Sequence, residues 1–134
     1  GGPGLTWENV NSHAALDGEP DRRLDYVFSG FRGPGGAGRP VNDAYFGRVA
    51  LQFPDRVRRF RPDLLFWYFG FDTHQGDYGD IGLTGPCYWS IALLMRDLAG
   101  EVCGGKLAVV LGGGSETRLA THLIPPVIER LAGP

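Results

Sequence analysis

Asp72, His74, Asp77 and Asp80 lie within a span of nine residues, and their side chains are carboxylates and an imidazole. Hard oxygen and nitrogen donors at such close spacing predict a cation site. The stretch follows directly on Leu64–Phe69, a run of apolar and aromatic residues ended by Gly70. Such a run has the pattern of a parallel strand buried on both faces. Ligands of open α/β sheets bind just beyond the carboxyl ends of strands, which is where this acidic loop falls.

The elements that must hold the loop alternate in type. Phe46, Val49, Ala50, Phe53, Val57 and Phe60 recur at helical spacing, with Asn42 or Asp43 placed to cap the start. Pro54 is expected to kink that helix or break it in two. A strand over 63–69 follows, then the acidic loop. Thr84 reads as the N-cap of a second helix with Pro86 in its first turn, where a missing N–H costs little. Ile91, Leu94, Met95 and Leu98 form its apolar stripe, which ends near Gly100. The run KLAVVL at 106–111 predicts a second strand, and the triple glycine Gly112–Gly114 leads into a last helix ending near Leu131. Pro125-Pro126 is expected to interrupt that helix, so that it begins near residue 126. Strand, helix and strand make one right-handed βαβ crossover. Parallel strands end on the same side, so the Asp72 loop and the Gly112–Gly114 loop are expected to face one crevice.

Composition narrows the function classes. The 134 residues suffice for one core. A formal charge of −2 argues against a nucleic-acid partner held mainly by charge. Arg56, Arg58, Arg59 and Arg61 cluster locally, as on a solvated helix face. No apolar run approaches the roughly 20 residues that span a bilayer, and no signal-peptide pattern opens the chain, so a cytoplasmic protein with no membrane partner is expected. Cys87 and Cys103 sit at opposite ends of the second helix, too far apart to bridge, and read as idle thiols in a reducing compartment. The 22 glycines bunch at residues 1–4, 33–38, 104–105 and 112–114. The GPGGAG run at 33–38 has linker composition. It divides the chain into an N-terminal extension, 1–40, with one strand through Leu24, Tyr26 and Phe28, and an α/β segment, 41–134.

The segment FRPDLLFWYFGFDTHQGDYGDIGLT, followed by CGGKLAVVLGGGSETRLA, resembles the C-terminal part of the histone deacetylase family over about residues 42–132. That family shows F-x-P-D, a hydrophobic strand, G-F-D-x-H-x-x-D, then L-T, C-G-G-(K/R)-L and a V-L-(E/G)-G-G loop. The resemblance implies a partial three-layer α/β/α sandwich with a mostly parallel sheet, as in arginase. It implies zinc-dependent hydrolysis of acetylated amines, acetyl-lysine or acetylpolyamines. Carried over by position, Asp72 is the zinc ligand, a hard carboxylate that leaves coordination positions open. Gly112, Gly113 and Gly114 form the loop beside the substrate channel, and His74 and Asp77 support the acidic loop. Asp72-Thr73-His74 spells D-x-H, but the family's D-x-H ligand pair comes from an earlier strand.

Two departures bear on activity. The glycine loop of the family ends in a tyrosine that polarises the substrate carbonyl, and here that position is Ser115, too short to replace a phenol. Tyr78 and Tyr88 are the nearby phenols that could supply one. The family's paired histidines and earlier Asp and His ligands have no match, since His13 and His122 sit in no such motif. Weak zinc binding and no activity are therefore expected of this chain alone.

LTWENVNSHAALDGEPDRRLDYVFS at 5–29 more weakly resembles a late segment of the endonuclease/exonuclease/phosphatase family. Its aspartate would be Asp25, beside Arg22 and Arg23, but the S-D-H motif that should follow is absent. Three readings stand: an incomplete deacetylase-type amidohydrolase, a non-catalytic relic or binding module of the same fold, and a metal-dependent phosphodiesterase piece. A sheet of two or three strands leaves an open apolar edge, so self-association is expected of the isolated chain.

Overall fold

The structure is a computed structural model that describes residues 31–133. The chain divides after Phe31, and the second unit is the one described below. The strand expected through Leu24–Phe28, the motif with Asp25, Arg22 and Arg23, and His13 all lie outside the described residues.

Five elements follow one another: helix α1 (Arg39–Phe60), strand β1 (Leu65–Phe69), helix α2 (Gly85–Cys103), strand β2 (Leu107–Leu111) and helix α3 (Thr117–Ala132). The strands pair in parallel, from Leu65 opposite Leu107 to Phe69 opposite Leu111. This is the βαβ unit that two apolar runs around an amphipathic helix predict. Helix α2 is the hub, packing against both other helices and both strands. Ala92, Met95, Leu98 and Ala99 on it are buried, as are Val57 of α1 and Leu123 and Val127 of α3.

The prolines break neither helix. Helix α1 runs unbroken through Pro54, and α3 runs through Pro125 and Pro126. A proline removes a backbone bond inside a helix, but tertiary packing holds these turns: Pro54 is buried, and Leu123 and Val127 flank the proline pair in the core. Trp89 Nε1 also donates to the Leu123 carbonyl at 3.3 Å, and Arg130 Nη1 to that of Pro126 at 3.1 Å.

Asn42 does not cap α1, which begins earlier, at Arg39, with Gly38 as its N-cap. Asn42 instead joins two helices. Its Nδ2 donates to Thr84 Oγ1 at 2.6 Å, and its Oδ1 accepts from the Thr84 amide at 3.0 Å. Thr84 is the N-cap of α2, as its sequence context predicts, yet its hydroxyl serves Asn42 rather than its own helix. Helix α2 runs past Gly100 to Cys103 and stops at Gly104, which is left-handed at φ 65°.

Strand β1 is not covered on both faces. Leu65 and Phe69 are buried towards α2, whereas Phe66 is 63% and Tyr68 73% exposed. Val110, which pairs with Tyr68, and Leu111 are exposed too. The GPGGAG run is not a free tether either. The Gly38 amide donates to the Gly82 carbonyl at 2.9 Å, and a Cβ on Gly82 would strike the Gly36 carbonyl. The glycines of that run belong to a close backbone crossing against the acidic loop.

Asn42→Ala should destabilise the fold by about 1–3 kcal/mol, because it strands the half-buried Thr84 amide and hydroxyl. Chemical denaturation measures this. A loss below about 0.5 kcal/mol would mean that Asn42 does not hold α1 to α2.

Candidate functional site

The β1–β2 ladder continues past both strand ends. The Gly112 amide donates to the Phe69 carbonyl at 2.8 Å, and the Phe71 amide to the Gly113 carbonyl at 3.1 Å. These bonds bring the acidic loop and the glycine loop together at the carboxyl edge of the sheet, the crevice predicted from the parallel pairing.

Asp72 lies half-buried at their junction. A Cβ on Gly113 would sit 2.6 Å from Asp72 Oδ1, one on Gly79 2.9 Å from Oδ2, and one on Gly70 3.0 Å from Oδ1. Gly113 also has φ +83°, which an L side chain rarely adopts. Glycines therefore wall the carboxylate. Among the described residues it accepts no hydrogen bond from a side chain or amide, which leaves both oxygens open to a ligand. It opens on a cavity of about 440 Å³ whose walls include Tyr45, Tyr68, Tyr78, Tyr88 and Gly113.

The other acidic-loop residues face elsewhere. Asp77 is buried, and its carboxylate accepts from the Ser115 amide at 3.0 Å, the Glu116 amide at 3.1 Å, the Tyr78 amide at 2.8 Å and the Ser115 hydroxyl at 3.1 Å. Glu116 is the N-cap of α3, so Asp77 caps that helix from the other loop, at the positive end of its dipole. Burial pushes its carboxyl up, but those hydrogen bonds together outweigh burial and hold it below the ordinary 3.8. Asp80 closes its own loop, accepting from the Gly76 amide at 3.0 Å and the Gly82 amide at 2.8 Å. His74 is buried, donates from Nδ1 to the Gln75 carbonyl at 2.7 Å and stacks on Tyr88 at 6.1 Å.

The cation cluster predicted from the spacing of these residues does not form. Among the described residues no three His, Cys, Asp or Glu side chains converge on a common metal position. Of the four acidic-loop residues, Asp72 is the one that lines the cavity. His122 stands apart from the crevice, edge-on to Trp89 at 5.6 Å.

The phenols differ in availability. Tyr88 is only 3% exposed, and its hydroxyl shares a 2.7 Å hydrogen bond with Thr73 Oγ1. Burial pushes its pKa upward. Tyr78 is 70% exposed, and its hydroxyl oxygen accepts from the Gly114 amide at 3.3 Å. Cys87 and Cys103 are free and buried, and burial pushes the Cys87 thiol up to about 12, which makes it a poor nucleophile.

Sequence reasoning missed Gly70 and Gly79 as walls of the Asp72 site. Their places on either side of Asp72 were a usable signal, since glycine permits close backbone approach. It also missed Asp77 as the cap of α3. No local signal could reveal that, because donor and acceptor are 38 or 39 residues apart.

Residues 38–131 match the family model of the histone deacetylase domain. The chain is 33% identical over 101 residues to histone deacetylase 14, chloroplastic, of Arabidopsis thaliana, a match covering 75% of this chain and 23% of that protein. It is 31% identical over 101 residues to a histone deacetylase-like amidohydrolase of Pseudomonas aeruginosa, covering 75% and 26%. The crystal structure of the HDA15 HD domain superposes with a TM-score of 0.59 at 28% identity, over 72% of this chain and 26% of that one. The chain thus spans about a quarter of the length of these relatives.

Because the Asp77 carboxyl titrates lower in the folded chain than its ordinary 3.8, its contribution to stability is complete above that pH. It should be lost as pH falls through the lower folded value. Denaturant midpoints taken from neutral pH down into the acid range should show this component in the wild type and not in Asp77→Asn. Identical acid profiles would refute it.

Proposed function

Since this chain belongs to the histone deacetylase family, we propose that it is the C-terminal portion of a zinc-dependent amidohydrolase acting on acetylated amines, acetyl-lysine or acetylpolyamines. The observation that carries this reading is the Asp72 carboxylate, walled by Gly70, Gly79 and Gly113 and open to a cavity at the end of β1. A carboxylate that accepts no hydrogen bond from any described residue and is walled by glycines suits a metal ligand. Bound zinc would supply Lewis-acid polarisation of an amide carbonyl.

The described residues fit one ligand position of such a site, not a complete one. The remaining ligands and the general base belong to sequence beyond residues 31–133, in this or another chain. Alone, this chain binds zinc weakly and does not turn over substrate. Its buried thiols suit a reducing cytoplasm, and no described helix is long and apolar enough to cross a membrane.

A second reading, a non-catalytic binding module of the same fold, draws on Ser115. At the place where the family carries a tyrosine, this serine turns its hydroxyl to Asp77. Zinc separates the two readings. Calorimetric titration of the purified chain should show zinc binding that weakens at least about tenfold in Asp72→Ala, as loss of a ligand from a metal implies. Binding that is absent, or indifferent to Asp72, would favour the module.

The exposed face of Phe66, Tyr68 and Val110 supports self-association of the isolated chain. Light scattering should show dimers or larger species, and Phe66→Lys should reduce them. A monodisperse wild-type monomer would contradict this.

A further inference from the structure

We propose that Tyr78 supplies the hydrogen-bond donor to the ligand's carbonyl oxygen in the Asp72 cavity, the role that Ser115 is too short to fill. The inference rests on the amidohydrolase reading, which makes the ligand an amide.

The argument is one of donors and their availability. An amide carbonyl is an acceptor and needs a donor pointing into the cavity. Asp72, as a carboxylate, can only accept. Tyr88 and Thr73 line the cavity too, but their hydroxyls are engaged with each other and Tyr88 is buried. The Ser115 hydroxyl is used on Asp77. Tyr78 is the phenol held at the right place with its proton to spare. Its oxygen accepts the Gly114 amide hydrogen, so the O–H itself remains to be donated.

Its position is fixed from two sides. The Tyr78 amide is bound to Asp77 Oδ1 at 2.8 Å, and Asp77 in turn grips Ser115 and Glu116. The ring is therefore tied to the glycine loop through its own backbone and through its hydroxyl. It lines the same cavity as Asp72 while remaining 70% exposed, so a ligand can reach it. Tyr68 is the other well-exposed phenol on the cavity. It lies over Gly112, where an added Cβ would strike its hydroxyl, and no hydrogen bond to a described residue fixes that hydroxyl.

The test uses the full 134-residue chain and an Nε-acetyl-lysine peptide labelled with carbon-13 at the acetyl carbonyl. A hydrogen bond to that carbonyl moves its NMR resonance downfield, a signature that a purely structural residue would not alter. The wild type should bind the peptide and show the shift, and Tyr68→Phe and Tyr88→Phe should retain it. Tyr78→Phe should still bind, about two- to tenfold more weakly, as expected for one lost hydrogen bond, with the shift abolished. An undiminished shift in Tyr78→Phe, or a shift lost instead in Tyr68→Phe, would overturn the assignment and leave the amide-binding reading intact. Absence of saturable peptide binding to the wild type would overturn that reading and this inference together.

Discussion

The Asp77 carboxylate is the interaction on which the crevice depends. It sits in the acidic loop, yet its partners are the Ser115 and Glu116 amides at the start of α3 and the Tyr78 amide beside it. Helix N-termini carry orphan donors and a partial positive charge, so an anion placed there satisfies both. Because the anion comes from the other loop, one ionised group caps a helix and sets the distance between the two walls of the cavity. Tyr78 and the glycine loop are carried along with it.

Around Asp72 the constraint is steric. Gly70, Gly79 and Gly113 bring backbone to within contact of a carboxylate, and a Cβ at any of them would press on an Asp72 oxygen. The glycine richness of this chain thus has two physical sources near the site. One is the approach of three backbone segments to a single side chain. The other is the crossing of Gly82 with Gly36 and Gly38, which fastens the start of α1 beneath the acidic loop.

The sheet shows what a quarter of a larger family domain can and cannot bury. Parallel sheets are stable when both faces are covered. Here α2 covers one, burying Leu65 and Phe69, and Phe66 and Tyr68 stand on the other. A large apolar side chain left in water forgoes roughly 1.5–3 kcal/mol of burial. Asp72 is likewise left open: among the described residues its carboxylate is walled by glycines and accepts no hydrogen bond.

Much of this was legible in sequence. The apolar runs at 64–69 and 106–111, with the stripe Ile91–Leu98 between them, determined the order of elements, the parallel pairing and the two loops on one edge, because hydrophobic periodicity is a local property. The motif residues around Asp72 likewise determined the family. What sequence misjudged was decided by contacts between distant segments. Pro54 and Pro125-Pro126 remain helical where Pro54 itself, and Leu123 and Val127 beside the pair, are packed into the core. Asn42, within α1, spends its side chain on Thr84 rather than on its own helix, and the spaced carboxylates part company because the start of α3 offers Asp77 its backbone donors. Local pattern specifies which elements form. Only the tertiary structure, which sets donors and acceptors 38 to 42 residues apart face to face, decides what each polar side chain is for.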